Sequence, residues 1–146
     1  MDHDNFIGYA LDEAQTSIDA GNIAVGSVIV RDGEIIGRGQ NRVESEKDVT
    51  AHAEVDAIRN ACRNAGPAAL VGATLYTVCE PCPMCLGAIN EAGITCLVLG
   101  GRHSKVGITR FGDYCVERMV ELTNSDLKLV TGIRENECEE MRRRSS

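Results

Sequence analysis

The chain has 146 residues, 43% hydrophobic and 25% charged, which are values of an ordinary globular domain and exclude a disordered, collagen-like or coiled-coil protein. A balance of 15 basic against 22 acidic residues gives a net charge of −7, and 3% aromatic content leaves few rings to stack bases, so a small molecule is a better expected partner than nucleic acid. The longest charge-free stretch, Asn64 to Cys79, spans 16 residues broken by Gly66, Pro67 and Gly72, and no transmembrane helix is expected.

The acidic, polar start Met1-Asp2-His3-Asp4 carries no secretory pattern, so a cytoplasmic setting is expected, with the 7 cysteines as thiols, core fillers or metal ligands. This length predicts one domain over residues 1–146. Ile7, Leu11, Ala14 and Ile18 recur at helical spacing and predict a first helix over 4–19. Val25 to Arg31 and Glu34 to Gln40 read as two strands of a hairpin turning at Asp32-Gly33, followed by a polar loop to Thr50. Ala51 to Asn64 predicts a second helix stopped by Gly66-Pro67. Ala73 to Val78 predicts a strand, Met84 to Ala92 a helix and Ile94 to Leu99 a buried parallel strand. A loop is expected over 101–110, a helix over 114–123, a strand at Leu127 to Val130 and a closing helix from Glu135 to Arg144. This alternation predicts an α/β fold, a mixed sheet with helices on both faces.

Chemistry concentrates at His52, Glu54, Cys82 and Cys85. Cys82 and Cys85, at i and i+3, put two sulfurs on one face of a helix's first turn, and His52 supplies an imidazole. Three protein ligands with a fourth position open is the arrangement of catalytic zinc, and Glu54 is then placed to move protons. Two other readings stand beside it. Cys82 and Cys85 could form a redox dithiol, or His103 or Cys115 could complete a closed structural zinc site. Cys79 is read as strand-end packing, and Cys62, Cys96 and Cys138 as small hydrophobes.

His52-Ala53-Glu54 followed by Pro81-Cys82-Pro83-Met84-Cys85 resembles the H-x-E…P-C-x-x-C signature of the zinc-dependent cytidine and nucleobase deaminase superfamily. The resemblance extends over Val25 to Val30, Gly39 to Asn41, Asp48 to Glu54 and Leu75 to Thr77. It implies a three-layer α/β/α sandwich around a five-stranded sheet, usually homodimeric, with one zinc on His52, Cys82 and Cys85. It further implies that Glu54 carries protons between water, ring nitrogen and leaving amine, releasing ammonia. Asn41 would hydrogen-bond the base, backbone amides around Ala53 and Cys82 would hold a ring carbonyl, and Gly26 would let the base approach the strand.

Cys79 to Ile89 looks most like guanine deaminases, although Asn90-Glu91 stand where those carry aromatics, and no C-terminal segment covering the base is recognisable. Gly100 to Gly107 and Arg142 to Arg144 resemble tRNA adenosine deaminases, an assignment opposed by the acidic balance. The sequence expectation is a hydrolytic deaminase of a free nucleobase or related aminated heterocycle, with cytosine or guanine leading. A tRNA adenosine deaminase is the alternative, and a non-catalytic zinc-stabilised binding protein the more distant one. Arg142 to Arg144 read as a helix-end dipole partner or solvated tail, so removing 142–146 is expected to change free-base turnover little, and salt is expected to matter little.

Overall fold

The computed structural model describes residues 2–145. In chain order the elements are α1 (His3–Asp19), β1 (Gly26–Arg31), β2 (Glu34–Gln40), α2 (Val43–Glu46), α3 (Ala53–Ala65), a 3-10 turn (Pro67–Leu70), β3 (Thr74–Cys79), α4 (Pro83–Ala92), β4 (Cys96–Gly101), α5 (His103–Val106), α6 (Val116–Leu122), β5 (Lys128–Val130) and α7 (Glu135–Arg143). The five strands form one sheet in the order β2-β1-β3-β4-β5. β1 runs antiparallel to β2 and β3, while β3, β4 and β5 are parallel, so the sheet is mixed.

Alternation along each strand divides the core in two. Ile29, Leu75, Leu97 and Leu99 face one way, onto Ala57 and Ala61 of α3, Leu86 and Ile89 of α4 and Val116 of α6. Val28, Val30, Tyr76, Val78 and Val98 face the other way, onto Ile7, Ala10, Leu11 and Ala14 of α1 and Cys138 of α7. The result is the expected three-layer α/β/α sandwich. Each fully buried Leu or Ile contributes about 1.5–3 kcal/mol, so both faces are needed to hold so thin a sheet.

The β1–β2 turn is built by Asp32 and Gly33, both at positive φ, 51° and 79°, the backbone a tight two-residue hairpin requires. Two glycines set the helix-to-sheet distance. A methyl on Gly39 would strike the backbone of Ala53 and Ala57 on α3. A methyl on Gly26 would strike the carbonyl oxygen of Ala10 and the amide of Ala14 on α1. Gly26 is therefore explained by α1 lying flat on β1, which corrects the expectation that its missing side chain admits a base.

The expected loops at 41–50 and 101–110 each contain one helical turn, α2 and α5, too short to show apolar periodicity. The strand expected to begin at Ile94 pairs from Cys96. Ile94 itself is buried below the sheet's edge, which is why it reads as apolar.

Candidate active site

Helices α3 and α4 begin side by side, each at a metal-donor residue. His52 caps α3 with extended backbone (φ −75°, ψ 157°) and Cys82 caps α4 likewise (φ −70°, ψ 171°). Neither side chain bonds its own helix's free amides, so both are available to face one another. Pro83 occupies the start of α4, where its missing N–H costs nothing, and fixes the entry angle of the Cys82 to Cys85 turn.

The Sγ atoms of Cys82 and Cys85 each lie 3.5 Å from His52 Nδ1. At ordinary zinc–sulfur and zinc–nitrogen lengths a tetrahedral centre separates such donors by about 3.6 Å. Among the described residues these three form the one His/Cys/Asp/Glu group of three or more whose donor atoms all lie within 4.8 Å of one another. The donor set and its spacing thus fit a zinc ion, with Nδ1 as the ligating nitrogen. A hydrogen bond from Cys85, reinforced by His52, lowers the Cys82 thiol to about 4 against the desolvation that opposes it. The same bond and burial hold the Cys85 thiol up. Two helix N-termini converging on the cluster further favour thiolate.

Glu54, in the first turn of α3, is buried at 4% exposure. Burial raises its carboxyl to about 7, against hydrogen bonds from its own amide and from the Thr77 hydroxyl that favour the charged form. Thr77 is itself seated by the Ser27 hydroxyl, which donates to it at 2.9 Å in a fully buried pair. The carboxylate stands beside the donor cluster and outside it.

The cluster opens into a cavity of about 380 Å³ whose lining includes Asn41, His52, Ala53, Glu54 and Cys82. Asn41 Oδ1 accepts the Val43 amide at 3.1 Å, which turns the chain after β2. Among the described residues no partner meets its Nδ2, so the turn and a pocket donor coexist. Cys79 ends β3 as expected and also lines the cavity, its thiol pushed up to about 12 by burial. His103 lines the cavity without joining the cluster, and Cys115, the N-cap of α6, also stays outside the cluster.

Sequence reasoning missed the opposite wall. Buried Glu80 accepts from Arg102 Nε at 3.1 Å, the His103 amide at 3.0 Å and the Val116 amide at 2.9 Å, locking the segment after β4 to the end of β3. Tyr114 donates to the Pro81 carbonyl at 2.6 Å, steadying the turn that carries Cys82. Phe111 stacks on His103 at 5.7 Å and lines the cavity with Arg110. Arg142 of α7 lines it too, Arg143 Nη2 donates to the Lys105 carbonyl and Arg144 Nη1 to Gln15 Oε1. The arginine run is thus not a solvated tail, and the expectation that residues 142–146 are dispensable is corrected. The signals in the sequence were Glu80 beside the Pro81-Cys82 turn and Phe111, one of only 2 phenylalanines.

An α/β/α sandwich that brings a His/Cys/Cys donor set beside a buried carboxylate defines a zinc-binding hydrolase domain. The chain belongs to the cytidine and deoxycytidylate deaminase family, whose zinc-binding region matches residues 1–101. It is 42% identical over 122 residues to a guanine deaminase of Bacillus subtilis, covering 83% of this chain and 78% of that protein. It is 38% identical over 129 residues to a tRNA-specific adenosine deaminase of the same species, covering 88% and 79%. A solved structure from work on tRNA:A34 deaminases superposes with a TM-score of 0.82 at 35% identity, covering 94% of this chain and 98% of that one. The protein is a zinc-dependent hydrolytic deaminase.

Proposed function

We propose that the substrate is a small aminated heterocycle, a free nucleobase or a close relative, with cytosine and guanine the leading neutral candidates. The observation that carries this reading is the Glu54 carboxyl, sunk in a cavity of about 380 Å³ beside the donor cluster, with Asn41 and the start of α3 on its walls. A cavity of that size encloses a ring and few substituents.

Hydrolytic deamination replaces a ring C–NH2 by C=O, with water supplying the oxygen and ammonia leaving. His52, Cys82 and Cys85 would hold the zinc, which when bound supplies a Lewis acid that lowers the pKa of water. Glu54 takes a proton from the attacking water, delivers it to the ring nitrogen next to the reacting carbon, and then protonates the departing amine. A carboxyl raised to about 7 is poised to both accept and give at neutral pH. Asn41 Nδ2 donates to a ring acceptor, and the Ala53 and Cys82 amides, free at their helix starts, hold a ring carbonyl. The proposal includes a homodimer and a cytoplasmic setting, supported by the family resemblance. Among the described residues no helix is long and apolar enough to cross a membrane.

A-to-I deamination in tRNA is the second reading, supported by the 38% identity to the tRNA-specific enzyme and opposed by the net charge of −7. An ammonia-release screen of the zinc-loaded protein over cytosine, guanine, adenine, cytidine and transcribed tRNA separates the two. Turnover of a small substrate is expected; inosine in tRNA with no ammonia from any small heterocycle contradicts the proposal.

A further inference from the structure

The cavity that holds Glu54 carries more positive charge than a neutral ring needs. Arg110 and Arg142 both line it. Six other arginines, Arg31, Arg38, Arg42, Arg59, Arg102 and Arg134, lie within 4.0 Å of a carboxylate. Among the described residues neither Arg110 nor Arg142 has such a partner.

The acids on the same walls do not answer them. Glu80 is already engaged by Arg102 and two backbone amides. Glu54 lies beside the donor cluster and is held by the Thr77 hydroxyl and its own amide. Both guanidinium groups are close enough to the cavity's interior to act on it: the Arg110 charge bears on His52, and the Arg142 charge on Cys79 and His103.

Each is also held in place. Arg110 lies over the Phe111 ring at 4.4 Å, and Phe111 stacks on His103. Arg142 is carried by α7 and spends one N–H on the Ser145 carbonyl at 2.8 Å. The remaining N–H groups of both are uncommitted, and a guanidinium's donors match the paired oxygens of carboxylate or phosphate. In a chain of net charge −7, two unpaired arginines facing one cavity are not the background of the surface.

We propose that Arg110 and Arg142 form an anion subsite at the mouth of the deaminase cavity, so that the preferred substrate is a small aminated heterocycle bearing a carboxylate or phosphate. This rests on the small-heterocycle reading and sharpens it. The ring goes to Glu54 and Asn41, and the anionic group points outward between α7 and the segment after β4.

The test pairs neutral with anionic substrates in ammonia release by zinc-loaded protein: cytosine against 5-carboxycytosine, and cytidine against cytidine 5′-monophosphate. The two pairs distinguish a ring carboxylate from a phosphate reached through a sugar. At least one anionic member is expected to exceed its neutral partner in kcat/KM by about ten- to hundredfold, mainly through KM, the scale of a hydrogen-bonded charge. In Arg110→Gln with Arg142→Gln that ratio collapses toward one, while Arg63→Gln, on the exposed side of α3, leaves it in place. Calorimetric titration with inorganic phosphate reads the subsite without turnover, and saturable binding is expected in wild type and lost in the double variant. Circular dichroism checks that each variant folds; if the double variant does not, Arg110→Gln alone must lower both the ratio and phosphate affinity.

Ammonia from neutral and anionic members at equal kcat/KM overturns the subsite and leaves the small-heterocycle reading standing. Ammonia from no small substrate overturns that reading, while phosphate binding lost in the variant still upholds the subsite. Absence of phosphate binding in wild type, or binding that survives both substitutions, overturns the subsite by itself.

Discussion

His52 and Cys82 lie 30 residues apart in sequence, yet His52 Nδ1 and Cys82 Sγ stand 3.5 Å apart because each is the capping residue of a helix and the two helices start together. Metal binding and the docking of α3 against α4 are consequently one event. Three donors without a cation would leave a thiolate in a half-buried site, so part of the fold's stability belongs to the ion.

Cys85→Ser therefore lowers zinc content and thermal stability together. Chelation of wild type is expected to lower its melting temperature by a similar amount and to have little further effect on the variant, since both remove the same linkage. Zinc analysis alongside melting curves checks this. Stoichiometric zinc and an unshifted melting temperature in Cys85→Ser would remove these residues from the metal site.

Gly26→Ala destabilises the protein by about 1–3 kcal/mol, the cost of overpacking, because the added methyl meets the α1 backbone rather than a yielding side chain. Urea titration reads the loss. A KM effect with unchanged stability would instead restore Gly26 to the pocket.

That glycine shows where a sequence stops being legible. Apolar periodicity placed every strand and the five longer helices to within about two residues, since each buries a face whose spacing the residues repeat. The donor cluster was readable because its four residues sit in two short local motifs, His52-Ala53-Glu54 and Cys82 to Cys85. The facing wall was not, since Glu80, Arg102, His103, Arg110, Phe111 and Arg142 come from three separated stretches that only the parallel β3–β4 pairing and the return of α7 bring together. Gly26 carries no local sign of whether a helix or a ligand fills the space it leaves.

The Arg102 fork across Glu80 and Glu117 gives a pH dependence with a definite sign. Arg102 Nη1 reaches Glu117 Oε2 at 3.0 Å, and this bond lowers the Glu117 carboxyl below its ordinary 4.5. Its contribution to stability is complete above pH 4.5 and is lost as pH falls through the lowered folded value. Glu117 is half exposed, so the effect at neutral pH is at most about 1 kcal/mol. Glu117→Gln should be less stable than wild type at pH 7 and indistinguishable from it in strong acid. A difference that persists unchanged in acid would assign the effect to packing.

The proton-carrying role of Glu54 is the centre of this account, and Glu54→Ala in zinc-loaded protein tests it most directly. Glu54 lies outside the donor cluster, so zinc content and melting behaviour should stay near wild type while ammonia release from the best substrate falls at least about a hundredfold, the scale of a lost general acid and base. Turnover within a few-fold of wild type, with zinc still bound, would contradict it.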